Sequence, residues 1–461
     1  MKKIYKKSLF IFRRDLRLHD NIGLLHAAKQ SQTLLLCFIF DPRQVTTKNI
    51  FRSINAIQFM IESLQDLENK IKKKQGSLYF FYGVAEQVID ELIKREKINA
   101  LFFNKDYTPF SLKRDAAVEK ICRIQKIDFF SFHDLLLNQP DLIMTNNNTP
   151  YSIFTAFYKK AKKLSVKAPI KLPRTIIYKK PIKQSKSLVF FSNKISLDIN
   201  KKIHIHGGRE NGLKILQNLK QFKKYAQERN FPFIATTNLS GHLKFGTLSI
   251  RETYQTIKKK LGNHHLLLKQ LYWRDFFTYV AYHSPFVFDQ PYHEKYKKLS
   301  WSKNKKLFNA WCNGKTGFPI VDAGMRQLNE TGFMHNRVRM IVASFLVKDL
   351  HINWLWGEKY FAQKLLDYDP AVNNGNWQWS ASTGCDAQPY FRIFNPWLQQ
   401  KKFDPDCIYI KQWVSELKTI ENKIILNWFK KYITTIPYPV PIINHKKEAN
   451  KSKLLFKKAR K

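Results

Sequence analysis

The sequence predicts two architectures in one chain: a doubly wound α/β region with a parallel sheet, followed by an all-α region. In the first 132 residues, short apolar runs alternate with helical patterns, which is typical of parallel strands joined by crossover helices. From about residue 208 onward the apolar spacing is mostly helical, and strand signals are scarce. All ten tryptophans fall in the later part, beginning with Trp273, so we expect the two regions to do different jobs.

Five apolar runs are the candidate strands of the first region. They are rich in Phe, Ile and Leu with little polar alternation, as expected of strands buried on both faces. Helical patterns between them are clearest at 54–74 and 86–97. No GxGxxG follows the first run, so we expect no dinucleotide to bind there. The candidate strands are 9–12, 34–40, 78–82, 100–104 and 127–132.

The segment after these strands has a weaker pattern. Lys, Asn, Pro and Ser dominate residues 136–205, which predicts an interdomain linker, interrupted by a helix-like stretch at 151–163. This linker would separate an α/β domain at 1–135 from a helical domain at 206–461. The clearest helical patterns of the second domain are 269–282, 322–328, 336–349 and 359–366.

The composition limits the classes of function. The formal net charge is +45, from 80 Lys and Arg against 35 Asp and Glu, which fits a polyanionic partner and equally fits a biased composition. No apolar run reaches the roughly 18 residues that a membrane helix needs, and the apolar stretch near the start is too short for a signal peptide. We therefore expect a cytoplasmic protein. The five cysteines form no CxxC pair and there is no HExxH, so no metal site is predicted.

Tryptophans interleaved with amides form the first candidate site. Trp377 and Trp379 flank a single residue beside a segment rich in Gly and Asn (373–376), and we expect that packing alone does not explain both rings. Ring faces beside amides in a basic protein suit an unstacked nucleic-acid base. The alternative for each ring is a place in a helical core.

Two carboxylates and an arginine form the second candidate site. Asp367 and Asp369 are spaced i, i+2 near an expected helix end. They are either surface or capping residues, or buried carboxylates that need a cation. Arg339 is the candidate cation.

Several short blocks stand in a fixed order along the chain. They are RRDLRLHDN at 13–21, WRDF at 273–276, GFPIVDA at 317–323, MHNR at 334–337, WQW at 377–379 and FRIFNP at 391–396. Together they resemble the class I DNA photolyases, the type that acts on cyclobutane pyrimidine dimers, and the resemblance covers nearly the whole chain. It implies a Rossmann-like antenna domain, a long linker and a C-terminal helical domain that binds FAD.

The resemblance also implies which residues hold FAD. By match, Tyr225 and residues 236–240 lie on the phosphate side, where hydroxyls and backbone amides at a helix start suit a pyrophosphate. Asn238 departs from the Arg that the family leads us to expect. Asn373 matches the position that faces the flavin N5 atom. The implied set is Tyr225, Thr236, Thr237, Asn238, Leu239, Ser240, Arg339, Asp367, Tyr368, Asp369 and Asn373.

Three tryptophans match the family's electron-transfer chain, which runs from the flavin to the surface. They are Trp377, Trp354 and Trp301. The resemblance implies that these indoles pass an oxidising equivalent outward when the oxidised flavin is excited. With Asn373, they are the implied catalytic residues.

The resemblance further implies a cavity for a dimer that is flipped out of DNA. Trp273 and Trp379 match walls that stack on bases. Asn336 and Met340 match lining positions at which relatives that repair 6-4 photoproducts would carry histidines, so we expect the cyclobutane dimer as substrate. Gln270 stands where the family usually has a Glu that contacts the dimer. The implied DNA-binding set is Arg229, Gln270, Trp273, Asn336, Arg337, Met340, Trp379 and Gln399.

We therefore expect a monomeric flavoenzyme that splits cyclobutane dimers in DNA with blue light. Whether an antenna of 5,10-methenyltetrahydrofolate is bound stays an open question, because positions 110–111 and 287–288 lack the polar contacts of folate-using relatives. One alternative is a blue-light photoreceptor of the cryptochrome type, with the same fold and FAD. Another is a single-strand DNA-binding protein without enzymatic activity.

Overall fold

The computed structural model describes residues 4–195 and 198–459. The chain divides into two compact units. Unit 1 comprises the described residues within 1–199, 205–221 and 238–285. Unit 2 comprises the described residues within 200–204, 222–237 and 286–461.

Unit 1 is built on a parallel sheet with the strand order β3-β2-β1-β4-β5. This order confirms the predicted doubly wound α/β fold. A short sixth strand, which pairs with the start of β2, lies inside the predicted linker and was missed because two residues show no periodicity. The strands are β1 (Tyr5–Phe12), β2 (Ser31–Phe40), β3 (Leu78–Tyr82), β4 (Ala100–Asn104), β5 (Asp128–Phe132) and β6 (Ile176–Ile177).

Side-chain caps fix where many helices begin. Asn21, Ser53 and Thr108 each accept a hydrogen bond from a backbone amide in the first turn of the helix that follows. The α-helices of the described residues are α1 (Ile22–Gln30), α2 (Pro42–Val45), α3 (Ile54–Lys72), α4 (Ala85–Glu96), α5 (Pro109–Ile124), α6 (Phe154–Ala161), α7 (Leu188–Lys194), α8 (Arg209–Gln217), α9 (Tyr225–Glu228), α10 (Ser240–Phe245), α11 (Ile250–Leu261), α12 (Leu266–His283), α13 (Lys305–Cys312), α14 (Pro319–Thr331), α15 (Asn336–Ser344), α16 (Trp354–Lys364), α17 (Pro370–Ala381), α18 (Pro396–Phe403), α19 (Ile408–Trp413), α20 (Asn422–Leu426), α21 (Trp428–Lys431) and α22 (His445–Lys458).

A buried network of charges joins α11 to the sheet within unit 1. Arg251 donates to Asp20 at 2.9 Å and to Asp134 at 2.7 Å, and Arg17 donates to the second oxygen of Asp134 at 2.5 Å. These contacts connect residues 238–285 to the segments that follow β1 and β5. The predicted domain ranges stay predictions, while the compact units divide the chain at other places.

Unit 2 is helical in its described residues, apart from isolated bridges such as the pairing of Ser302 with Ile352. Its core contains the fully buried rings of Trp311 and Phe318. The helix predicted at 336–349 ends as an α-helix at Ser344 and continues as a π-helical turn, Phe345–Asp349. Across the described residues, no helix is long and apolar enough to cross a membrane.

Candidate functional site

Arg339 and Asp367 form the ion pair that the sequence suggested. The Nη2 atom of Arg339 lies 3.0 Å from Oδ2 of the buried Asp367, and its Nε atom donates to the backbone oxygen of Met334 at 2.7 Å. The guanidinium also lies 5.2 Å from the ring centre of Phe333. These contacts fix the orientation of Arg339 from three sides, as a residue that positions a ligand requires.

Asp369 is a helix cap, which was the alternative left open for the two carboxylates. Its side chain accepts from the amides of Ala371 at 3.1 Å and Val372 at 3.4 Å, and so begins α17. A carboxylate at a helix start is favoured by the helix dipole. Asp367 and Asp369 therefore have different structural tasks although they are two residues apart.

Asn373 is held by a residue that the sequence analysis missed. Its Nδ2 atom donates to the backbone oxygen of Glu358 at 3.1 Å and approaches the Oε1 atom of that side chain at 3.4 Å. Because the amide nitrogen is engaged in this way, Oδ1 is the atom of Asn373 that can accept a hydrogen bond from a ligand. Burial raises the pKa of Glu358 to about 7. The signal in the sequence was a lone Glu inside the aromatic stretch of α16.

Trp377 lies one helical turn after Asn373, on the same face of α17. Its ring packs on Gly357 of α16 so closely that a Cβ atom at position 357 would lie 2.2 Å from it. The ring centre is 5.0 Å from that of Phe361 and 6.2 Å from that of Trp311. The ring is thus part of the core, which was the alternative considered for each ring, while the expectation that packing alone does not explain both Trp377 and Trp379 stays a prediction.

The other predicted tryptophans differ in exposure. Trp354 is buried in the same core as Trp377, whereas Trp301 is half-buried and packs against that core. Trp379, two residues after Trp377 on α17, is also half-buried. A spacing of two residues places side chains on nearly opposite sides of a helix, so Trp379 is the ring of this pair that stays accessible to a ligand.

The predicted phosphate segment contains a sharp turn. Asn238 has a φ of +55°, a left-handed conformation that Asn tolerates better than most residues. Buried Leu239 and exposed Ser240 follow, and α10 begins there without a side-chain cap. Half-buried Thr236 and Thr237 precede the turn. The compact units divide the chain between Thr237 and Asn238, so each side of the turn is described by itself.

Tyr225 and Tyr368, the two tyrosines of the implied cofactor set, lie in unit 2. The guanidinium of Arg229 lies 5.7 Å from the ring centre of Tyr225. Burial raises the pKa of the Tyr225 hydroxyl. Burial, with the nearby carboxylates of Glu358 and Asp369, raises that of Tyr368 well above its usual range. Both tyrosines are therefore neutral at physiological pH.

The predicted DNA-binding residues fall in both units. In unit 1, Gln270 and Trp273 are three residues apart on α12 and share one face. In unit 2, exposed Asn336 contacts the sulfur of Met340 at 3.7 Å, and Arg337 donates to Asn230 at 2.6 Å. The half-buried Gln399 lies on α18 of the same unit. The predicted DNA-binding residues thus form one group in unit 1 and another in unit 2, and each group is described by itself.

The chain thus combines a parallel α/β unit with a helical unit that contains a buried amide, an Arg–Asp ion pair and buried tryptophans. Residues 8–174 match the DNA photolyase family, and residues 267–458 match the FAD binding domain of DNA photolyase. The chain belongs to the DNA photolyase family.

Individual relatives agree with this assignment. The deoxyribodipyrimidine photo-lyase of Alkalihalophilus pseudofirmus is 36% identical over 97% of this chain and 97% of its own. An archaeal photolyase from Sulfolobus tokodaii, described with two FAD molecules, is 42% identical with a TM-score of 0.89, covering 98% of this chain and all of its own (100%). A Synechocystis cryptochrome is 28% identical with a TM-score of 0.89, covering 99% of this chain and 100% of its own.

Proposed function

We propose that this chain is a deoxyribodipyrimidine photo-lyase, which splits cyclobutane pyrimidine dimers in DNA under blue light. One observation carries the proposal: α17 presents Asn373 and Trp377 on one face, and α16 holds both through Glu358 and Gly357. A polar group suited to a flavin and an oxidisable ring are thus fixed one helical turn apart. Splitting the cyclobutane ring breaks two carbon–carbon bonds without hydrolysis or net oxidation, so the reaction is that of a lyase.

The residues of unit 2 fit FAD. The Arg339–Asp367 pair would hold the ring system and the ribityl chain, with Asp369 and Tyr368 beside it. The hydroxyls of Thr236 and Thr237 would face the phosphates. When bound and reduced, FAD supplies a light-excited one-electron donor.

Within this site, Asn373 has a defined task. Glu358 engages its Nδ2 atom, so Asn373 would present its oxygen to a protonated ring nitrogen. The contact with Glu358 thus fixes Asn373 as a hydrogen-bond acceptor toward the ligand before the ligand binds.

The substrate assignment depends on the residues that would meet DNA. In unit 1, Trp273 would stack on a flipped base. In unit 2, Trp379 would stack on a base, with Asn336 and Met340 as the lining residues that the resemblance implies. Arg229, Arg337 and Gln399 would position the backbone without reading sequence. The net charge of +45 supports a polyanionic partner. We propose a monomer that acts in the cytoplasm, where its DNA substrate lies.

A matched pair of tryptophans tests the electron-transfer role. Trp377→Phe should abolish photoreduction of bound oxidised FAD while chemically reduced protein still repairs a dimer-containing oligonucleotide. Trp428→Phe is the control, because Trp428 is as deeply buried and donates its Nε1 proton to Pro439 at 3.0 Å. Photoreduction and repair should both persist in that control. Loss of repair by the pre-reduced Trp377→Phe protein would mean that this ring is only structural.

Gln270 tests the substrate assignment. A neutral amide accepts weaker hydrogen bonds than a carboxylate, so Gln270→Glu should raise the repair yield per absorbed photon by up to about tenfold. The measurement compares both proteins under one lamp with the same dimer-containing oligonucleotide. Equal yields would contradict a contact between this residue and the dimer.

The likeness to the Synechocystis cryptochrome supports one alternative, a photoreceptor that shares fold and flavin but signals to a partner. The repair assay separates the two proposals, because a photoreceptor would absorb blue light and leave the dimer intact. A plain single-strand DNA-binding protein would show no flavin absorption at all.

A light-harvesting chromophore is a separate proposal. The folate contacts considered above fall in different units, at Phe110 with Ser111 and at Val287 with Phe288. In unit 1, Ser111 is already hydrogen-bonded to Thr108 and Asp106. The Sulfolobus photolyase, with its two FAD molecules, makes a second flavin the competing candidate. Chromatography of the chromophores released on denaturation distinguishes methenyltetrahydrofolate from a second flavin equivalent.

A further inference from the structure

Trp273, the predicted stacking residue of unit 1, is already stacked on one side. The ring of Phe154 lies parallel to it, with ring centres 3.6 Å apart and an angle of 8° between the planes. Phe276 and Phe277 flank the indole at 5.9 Å and 5.7 Å. The indole is half-buried, so part of it stays exposed beside this stack for a base to contact.

Phe154 is itself fixed firmly. It is the first residue of α6, is 2% exposed, and contacts Phe276 edge-on at 5.7 Å. The ammonium of Lys269 lies 5.7 Å from the Phe154 ring and 5.6 Å from that of Tyr158, which places a positive charge beside the stack. The partner of Trp273 therefore cannot swing away without unpacking α6 from α12.

We propose that Phe154, in the segment predicted to be a linker, is a positioning residue that sets the ring plane of Trp273 for stacking on the damaged base. A half-buried indole on a helix surface would otherwise exchange between rotamers, and ordering it on binding would lower affinity. The face-to-face contact with Phe154 fixes one ring orientation before DNA arrives. This inference rests on the proposed function of Trp273.

The same helix offers a matched control. Phe157 is 1% exposed, and its ring packs on Phe276 at 5.3 Å and on Tyr279 at 4.9 Å. The ring of α6 that contacts Trp273 is that of Phe154. Replacing either phenylalanine by leucine removes a buried ring from the interface of α6 and α12. Only Phe154→Leu removes the ring that covers Trp273.

The experiment measures binding in the dark by the FAD-loaded protein. The probes are a single-stranded oligonucleotide with one thymine cyclobutane dimer and the undamaged oligonucleotide of the same sequence. Phe154→Leu should lower the ratio of the two affinities about two- to tenfold, the range that an aromatic pair is worth. Its affinity for undamaged DNA should not change. Phe154→Tyr should restore the ratio, and Phe157→Leu should keep it at a similar or larger loss of thermal stability.

Two outcomes overturn the inference. One is an unchanged ratio in Phe154→Leu, and the other is an equal loss in Phe154→Leu and Phe157→Leu, which would indicate general loosening of α6. A double variant adds a further condition: in the Trp273→Ala background, Phe154→Leu should have no additional effect, and an additive effect would contradict action through Trp273.

Failure of the proposed function is distinguishable from failure of this inference. If Trp273→Ala leaves the affinity ratio unchanged, Trp273 does not stack on the lesion and the proposed substrate contact is wrong. If Trp273→Ala lowers the ratio and Phe154→Leu does not, the contact stands and only the positioning role is wrong.

Discussion

Each compact unit buries carboxylates, but the two units compensate for their charge in different ways. In unit 1, Asp134 receives Arg17 on one oxygen and Arg251 on the other. In unit 2, Glu358 is 3% exposed, and the partner of its carboxylate is the amide of Asn373 at 3.4 Å. One carboxylate is neutralised by two cations, whereas the hydrogen-bond donor found for the other among the described residues is a neutral amide.

The consequence appears in the pKa values. Although burial alone would raise it, the adjacent Arg17 and Arg251 hold the pKa of Asp134 below its usual range. Burial raises the pKa of Glu358 to about 7, because a single amide does not offset the loss of water. The first cluster contributes to the stability of the fold. The second carries a stability cost and holds the amide of Asn373, the residue proposed to face the flavin.

The largest expected effect comes from breaking the unit 1 network. Arg251→Met removes both of its ion pairs, which leaves the buried Asp20 without this guanidinium and the buried Asp134 with Arg17 alone. We expect a loss of about 3–5 kcal/mol in the free energy of unfolding at neutral pH. Urea denaturation followed by circular dichroism measures it. A loss below about 1 kcal/mol would mean that the network is solvated.

At Glu358 we expect an intermediate effect on the free energy of unfolding, with a pH dependence opposite to that of Asp134. Its pKa is raised from 4.5 to about 7 on folding, so the folded chain keeps a proton that the unfolded chain releases. Stability is therefore lost as pH rises from about 4.5 to about 7, by up to about 3 kcal/mol. Glu358→Gln keeps an acceptor for Asn373 and removes this titration.

The measurement is the stability of the Glu358→Gln protein relative to the unmodified protein at several pH values. The difference should shift in favour of the variant between pH 5 and pH 7.5 and then stay constant. Parallel curves for the two proteins would show that Glu358 is ionised in the folded state. Asp134 has the opposite sign, because its lowered pKa contributes stability that is lost as the pH falls.

The smallest effect is expected where an ion pair is exposed. Lys202 and Glu330 in unit 2 lie 3.0 Å apart with side chains that are 70% and 45% exposed. Lys202→Ala should change the free energy of unfolding by less than about 1 kcal/mol, since water and salt screen such pairs. The same urea titration measures it. A loss comparable to that of Arg251→Met would show that burial does not explain the difference in stability contribution between the exposed Lys202–Glu330 pair and the buried Arg251 network.

The sequence predicted those features that depend on local pattern. The strands at 78–82 and 100–104 have the predicted bounds, because each is a continuous apolar run buried on both faces. The parallel sheet and the change to helices are confirmed. The Arg339–Asp367 ion pair and the capping role of Asp369 were among the alternatives that the sequence predicted, because a carboxylate near a helix end usually either caps the helix or pairs with a cation.

Features that depend on tertiary contacts were not predictable in this way. Glu358 and Phe154 owe their importance to residues 15 and 119 positions away in the chain, at Asn373 and Trp273. Strand β6 is too short for any periodicity, and pairing with β2 alone defines it. The roles of the candidate site residues in binding FAD and DNA stay predictions.

The contact between Gly357 and Trp377 limits which substitutions evolution can accept at position 357. Because a single methyl group there would collide with the indole of Trp377, the position accepts essentially no other residue while that ring stays in place. Selection on light-driven chemistry would therefore act on a glycine that has no side chain to contribute. A larger residue at position 357 would need a smaller ring at position 377, whereas position 377 can accept a smaller ring opposite the present glycine.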